Sequence, residues 1–119
     1  MKTMTPHIKI TAGDVVILDF PGVTGTKRRP AVVLSSDLYH TARPDLIVGL
    51  ITSQTAGAVA ATDYHLQDWA TAGLKLPSAF RAFLVTLPRV AILSRIGTLS
   101  ASDWQAVRQR LQSALAQAD

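Results

Sequence analysis

Short apolar runs rich in β-branched residues recur along most of the chain, separated by Gly, Pro and polar residues. Each run is too short for a helix, so a buried strand is favoured. The runs predict strands at residues 14–20, 30–36, 46–51, 64–66, 80–87 and 93–99. Gly49, inside the third run, predicts a bulge or a close backbone approach at that point.

The C-terminal region instead carries the pattern of an amphipathic helix. Ser100 and Asp103 form a variant of the capping box that begins helices. Four apolar residues then recur at helical spacing and are expected to face the core: Trp104, Val107, Leu111 and Leu115. Strands followed by one helix predict a mainly β fold, a small β-barrel with helical decoration.

The segments between the apolar runs predict irregular structure. Residues 21–28 combine Gly and Thr with positive charge at the far end, and residues 55–62 are mostly Ala, Gly and Thr. Both segments predict flexible loops. Residues 37–45 are polar and predict a loop or a short turn.

Length and composition restrict the class of protein. The 119 residues, 48% of them hydrophobic, are enough for a single domain, residues 1–119, with its own core. The absence of Cys excludes disulfide frameworks and thiolate metal sites, and it fits a reducing cytoplasm. The N-terminal residues lack the apolar region of a signal peptide, and no apolar run is long enough to span a bilayer. These features predict a cytoplasmic protein without a membrane segment.

The chain is basic, with 12 Lys and Arg against 8 acidic residues and a formal net charge of +4. A basic surface favours a polyanion or an acidic protein as partner. Arg outnumbers Lys, eight to four. The planar fork of Arg suits bidentate phosphate contacts, so the composition slightly favours a polyanion.

Two residues at strand ends have the chemistry to bind a phosphodiester. Arg29 precedes Pro30, where a loop is expected to become strand two, and Thr52 stands where strand three ends. A guanidinium offers parallel donors to two phosphate oxygens, and a hydroxyl offers a donor to a third. Sequential strands joined by short connections usually pair, so the two residues are expected to converge. RNA cleavage by the ribose 2′-hydroxyl needs such charge stabilisation and does not strictly require a metal.

Three blocks of sequence together carry a resemblance: GDVVILDF at residues 13–20, KRRPAVVLS at 27–35 and ITSQ at 51–54. In letters, order and separation they resemble the PemK/MazF family of toxin endoribonucleases, and weaker similarity covers most of the chain. The resemblance implies a CcdB/PemK-like, SH3-like barrel with a C-terminal helix, in a homodimer. It also implies metal-independent, sequence-specific cleavage of single-stranded RNA such as mRNA through a 2′,3′-cyclic phosphate, and inhibition by an acidic cognate antitoxin.

In that family the Arg before Pro and the Thr ending the third strand form the catalytic pair. The resemblance therefore places catalysis on Arg29 and Thr52. Arg is too basic to be a good general base, so Arg29 is expected to stabilise charge on the phosphorus while Thr52 holds a non-bridging oxygen. The predicted RNA contacts are Lys27, Arg28, Ser53, Gln54 and Arg81.

The general base is left unassigned by the sequence. Some members of the family have a Glu before the Arg, but residues 22–28 hold no acid here, and the acidic partner of Arg81 near the start of the late strand is missing. His40 could relay protons, although a surface loop His is the favoured interpretation. Ser35, Ser36 and Ser53 lack a nearby His and Asp pattern for nucleophilic catalysis. Three scattered His and no Cys predict no metal site, and no cofactor is expected.

Two other functions stay open. A toxin of the same fold could bind a protein target such as DNA gyrase without catalysis, but such relatives depend on a C-terminal Trp that the ending LAQAD lacks. A non-enzymatic SH3-like interaction module would normally have an aromatic-rich groove. With aromatics at 6%, the sequence offers little support for it.

Overall fold

Six strands, two helices and two single 3-10 turns make up the protein in a computed structural model, which describes residues 9–22 and 25–118. The strands are β1 (Asp14–Gly22), β2 (Gly25–Val33), β3 (Asp45–Thr52), β4 (Tyr64–His65), β5 (Ala79–Pro88) and β6 (Ile92–Thr98). The helices are α1 (Asp37–Ala42) and α2 (Ala101–Ala114), and the 3-10 turns are Thr55–Gly57 and Arg89–Ala91. Within the described residues, no helix is both long and apolar enough to cross a membrane.

The strands form one antiparallel sheet in the order β4-β5-β3-β2-β1-β6. The sheet curls into a half-barrel, and α2 packs against β4 and β5. The mainly β prediction, with short helices and a C-terminal helix, is confirmed.

Both faces of the sheet are buried, which explains why its strands read as unbroken apolar runs. Alternate residues of a strand point to opposite faces. Val33 and Val48 belong to one core cluster, whereas Val32 and Ile51 belong to a second cluster on the other face. The side chain of Val107 attaches α2 to this second cluster.

Gly49 permits a close approach between β3 and β5. A Cβ at this position would lie 2.5 Å from the ring of Phe80, which is fully buried. The pairing of β3 with β5 shifts register between Gly49 and Leu50. The close backbone approach and the irregular pairing that the sequence predicts at Gly49 are therefore both present.

The second strand begins earlier than predicted, because residues 25–29 form a hairpin with β1 and are not a loop. Lys27 pairs with Phe20, and Arg29 pairs with Leu18. This part of β2 extends beyond the core, so its residues are exposed and polar. In the sequence such a segment has the same polar pattern as a loop. The strand also ends at Val33 and not at Ser36.

The segment 37–45, predicted as a loop or turn, contains the helix α1. Ser36 caps it, since its Oγ accepts a hydrogen bond from the amide of Tyr39 at 3.2 Å. The helix has six residues and buries none of them, so it leaves no apolar periodicity to detect.

Of the two hydrogen bonds of the predicted capping box, only the one accepted by Ser100 is present at the start of α2. Ser100 Oγ accepts the amide of Asp103 at 3.2 Å, but the Asp103 carboxylate does not reach back to Ser100. It is fully buried and accepts from Tyr64 Oη at 2.7 Å and from the amides of Gln67 and Asp68 at 3.1 and 2.8 Å. Asp103 thus attaches the segment after β4 to the helix.

The apolar stripe of α2 is shorter than predicted. Trp104 packs against the second core cluster together with the buried Val107, and Leu111 is half-buried. Leu115 lies beyond the last helical residue and is 54% exposed, so its assignment to the core was wrong.

Candidate active site

The side chains of Arg29 and Thr52 occupy opposite positions on neighbouring strands. The β2–β3 ladder pairs Val33 with Val48 and ends with Ala31 paired to Leu50. The same register continued by two residues sets Arg29 across from Thr52. Both lie on the face of the sheet that carries the first core cluster, just past its apolar residues.

Pro30 explains why the ladder ends there. Leu34 donates its amide to Ile47 of β3 at 2.8 Å. Because backbone amides alternate sides along a strand, residue 30 also turns its nitrogen toward β3. Proline has no hydrogen on that nitrogen, so the ladder cannot continue to Arg29.

Arg29 and Thr52 line one cleft of about 400 Å³. The β1–β2 hairpin, the end of β3 and the start of β5 form its walls. Phe20 and Phe83 stand edge to face in it, with ring centroids 5.4 Å apart. Three predicted RNA contacts, Lys27, Gln54 and Arg81, line the same cleft.

The cleft is positively charged, because Lys27, Arg29 and Arg81 line it and none of its described lining residues is acidic. Among the residues that the structure describes, neither Lys27 nor Arg29 forms an ion pair or a side-chain hydrogen bond. The guanidinium of Arg29, half-buried, therefore keeps all its donors for a ligand.

Thr52 is 7% exposed, and its hydroxyl oxygen accepts a hydrogen bond from the Gln54 amide at 3.1 Å. This bond fixes the side chain while leaving the hydroxyl proton without an acceptor in the described part of the chain. A threonine held in this way can donate one hydrogen bond into the cleft.

Arg81 has an acidic partner that sequence reasoning missed. Its Nε lies 3.7 Å from the Asp63 carboxylate, whose side chain is 5% exposed. The same carboxylate accepts the Ala60 amide at 3.0 Å. Asp63 precedes β4, so its approach to β5 depends on the β4–β5 pairing, and no local pattern in the sequence signals it.

Arg28 and Ser53 are not in the cleft. They alternate with Arg29 and Thr52 along their strands and so lie on the opposite face, in a depression of about 240 Å³. Arg28 forms an exposed ion pair with Asp19, with Nε 3.3 Å from Oδ1. The predicted RNA contacts thus divide between the two faces of the sheet.

Ser35, His40 and Asp37 lie together, although the sequence shows no His and Asp pattern for nucleophilic catalysis around Ser35. His40 Nε2 is 2.6 Å from Ser35 Oγ, and His40 Nδ1 is 3.9 Å from Asp37 Oδ1. Ser35 is 5% exposed, and its hydroxyl accepts the Ile47 amide at 3.0 Å. Without access for a substrate, the three residues attach α1 to β3.

His40 is remote from the cleft. Ser35 contacts Ile47, and Thr52 lies five residues farther along β3, roughly 16 Å at the usual rise of a strand. His40 therefore cannot relay protons at a phosphate held by Arg29 and Thr52. It is a half-buried structural residue of α1 and not the surface loop His that the sequence favoured.

Across the described ranges, 9–22 and 25–118, no group of three or more His, Asp or Glu residues could hold a metal ion.

A sequence model of PemK-like, MazF-like toxins of type II toxin-antitoxin systems matches residues 11–115. No curated protein sequence matches the chain. By contrast, several solved structures are similar to it over most of its length.

An endoribonuclease in complex with its cognate antitoxin from a mycobacterial species is 16% identical, with a TM-score of 0.71 over 89% of this chain and 94% of that one. Mycobacterium tuberculosis toxin MazF-mt6 is 24% identical, with a TM-score of 0.67 over 85% and 94%. A chain of a MazE-MazF structure from Deinococcus radiodurans is 23% identical, with a TM-score of 0.68 over 91% of this chain and 96% of that one. These likenesses show a MazF-like fold.

Proposed function

The chain belongs to the family of PemK-like, MazF-like toxins of type II toxin-antitoxin systems, and from that premise we propose that it is an endoribonuclease that cleaves single-stranded RNA without a metal. The observation that carries the proposal is the cleft in which Arg29 and Thr52 oppose each other. The mycobacterial endoribonuclease with the same fold supports the reaction class.

The scissile phosphate binds between Arg29 and Thr52. Arg29, which has no competing partner among the described residues, donates to two phosphate oxygens. Its positive charge stabilises the transition state most strongly, because the phosphorus is then pentacoordinate and these oxygens carry more negative charge. The binding of the transition state is therefore stronger than that of the substrate, which is the condition for catalysis.

Thr52 donates its hydroxyl proton to a non-bridging oxygen. Because the Gln54 amide already occupies one lone pair of Thr52 Oγ1, the donor is oriented before the substrate arrives. Lys27 supplies further positive charge to a neighbouring phosphate. Arg81, whose charge is offset by Asp63, and the exposed Gln54 can donate hydrogen bonds to a base or a phosphate.

The reaction is a transfer within the RNA. The ribose 2′-oxygen forms a bond to phosphorus and the bond to the 5′-oxygen breaks, which yields a 2′,3′-cyclic phosphate and a 5′-hydroxyl. The 2′-hydroxyl gives up a proton and the 5′-oxygen takes one, and neither transfer is assigned to a residue of the described cleft lining. Catalysis rests on charge stabilisation and positioning.

The partners follow from the same proposal. The net charge of +4 suits an acidic cognate antitoxin, and structures of the same fold include complexes with an antitoxin or with MazE. We place the protein in the cytoplasm as a homodimer. Sedimentation of the purified chain tests its dimeric state, and binding of the antitoxin should abolish RNA cleavage.

Incubation of the purified protein with a long RNA in EDTA, followed by mapping of the fragment ends, tests the reaction. Discrete cuts that end in cyclic phosphates are expected, and both Arg29→Ala and Thr52→Ala should lose about 3 kcal/mol of transition-state stabilisation, on the order of 10²-fold in rate. Arg108→Ala, which removes a charge from the exposed side of α2, is the control and should cut normally. Intact RNA with the wild-type protein would contradict the proposal and favour a non-catalytic toxin.

A further inference from the structure

The reverse face of the sheet carries a second basic depression, distinct from the cleft and about 240 Å³ in volume. Its polar lining includes Arg28, Ser53 and Lys75, and Leu76 contributes apolar surface that is 58% exposed. Lys75 comes from the segment between β4 and β5 and was not among the predicted RNA contacts.

The two depressions meet at one residue. Arg29 lines both of them, and it lies where the β2–β3 ladder has already ended. A linear polyanion bound at Arg29 on one face is therefore adjacent to the second depression on the other.

The cations of the second depression are available to a ligand. Lys75 is exposed and has no ion pair or side-chain hydrogen bond among the described residues. Arg28 is paired with Asp19, but their side chains are 66% and 52% exposed. Such surface pairs contribute little to stability, so a phosphate can replace the carboxylate at small cost.

We propose that this depression is a second nucleotide subsite for single-stranded RNA, in which Lys75 and Arg28 hold a phosphate that flanks the one at Arg29. The inference rests on the proposed nuclease function and adds a substrate contact to it. It also gives a role to Arg28 and Ser53, which do not line the cleft. The subsite positions the strand and leaves the bond-breaking step to Arg29 and Thr52.

Salt dependence of RNA binding tests the subsite. Each phosphate contact with a single strand contributes about 0.7 to the slope of log affinity against log salt concentration. A cleavage site is first mapped on a long RNA. Two probes that contain it are then made with 2′-fluoro sugars, which lack the attacking hydroxyl: a dinucleotide, which holds the scissile phosphate alone, and a long probe of about 16 nucleotides. Lys75→Ala should reduce the slope by about 0.7 for the long probe and leave the dinucleotide unchanged.

Lys9→Ala is the matched control, since Lys9 is an 80% exposed lysine beside Asp37 of α1, at the other end of the sheet. It should keep the wild-type slope. Equal slopes for Lys75→Ala and wild type on the long probe would overturn the subsite. This result is also expected if the depression binds an acidic protein and not RNA. Cleavage of RNA by the wild type would leave the nuclease function intact in that case. Failure of the wild type to cut any RNA would overturn both proposals.

Discussion

Arg29 stands across from Thr52 two positions beyond the last paired residues of the β2–β3 ladder, Ala31 and Leu50. The ladder fixes the two backbones just before the site, and it ends at Pro30, which has no amide hydrogen to donate. A guanidinium and a hydroxyl without acceptors in the described structure therefore face one cleft. The predictions on Arg29 and Thr52 follow from this geometry.

Arg29→Lys separates charge from geometry. Lysine keeps the positive charge but loses the two parallel donors. We expect kcat to fall by about 10²-fold, close to the effect of Arg29→Ala, with a smaller change in KM. Single-turnover cleavage of an RNA with one mapped site, at a series of protein concentrations, measures both changes. Wild-type rates in Arg29→Lys would show that charge alone is sufficient and that bidentate contact has no part in the reaction.

Thr52→Val and Thr52→Ser isolate the hydroxyl. Valine keeps the shape of threonine but neither donates to the phosphate nor accepts from the Gln54 amide. We expect about 10²-fold lower kcat for Thr52→Val and near wild-type activity for Thr52→Ser, which retains the hydroxyl. Circular dichroism checks that both variants are folded. Equal activity of the two would contradict a role for the hydroxyl.

Local patterns predicted much of this fold and less of its site. The strand runs, the Gly49 bulge and the Ser100 cap are encoded within short segments, so the sequence shows them. The hairpin at residues 25–29 and the helix α1 bury too little to leave a periodic signal. The acidic neighbour Asp63 of Arg81 could not be predicted, because it depends on which distant segments the sheet brings together.

His40→Ala distinguishes a structural histidine from a catalytic one. His40 is hydrogen-bonded to Ser35 beside Ile47, and Ile47 lies roughly 16 Å along β3 from Thr52, so the loss of His40 should not affect RNA cleavage. The variant leaves Ser35 with its bond to the Ile47 amide, and we expect the free energy of unfolding to fall by about 1 to 3 kcal/mol. Urea denaturation and the pH profile of kcat measure the two effects. A changed pH profile in the folded variant would assign His40 to proton transfer.

The environment of Tyr64 contributes to the stability of the folded protein, and this contribution is lost at alkaline pH. Burial, together with the hydrogen bond to Asp103 and its negative charge, raises the pKa of Tyr64 from 10.0 to about 12. Because the folded state holds the phenolic proton more tightly, the stabilisation is complete below pH 10 and is lost as pH rises from about 10 to about 12.

Tyr64→Phe should therefore be less stable than wild type at neutral pH, and the two should converge as the pH approaches about 12. Asp103 keeps its bonds to the Gln67 and Asp68 amides in the variant, so the fold survives. Urea denaturation at a series of pH values measures the difference, and Tyr39→Phe, at the other tyrosine, is the control. If wild type and Tyr64→Phe lose stability in parallel above pH 10, the hydrogen bond between Tyr64 and Asp103 is not the cause of the loss of stability at alkaline pH.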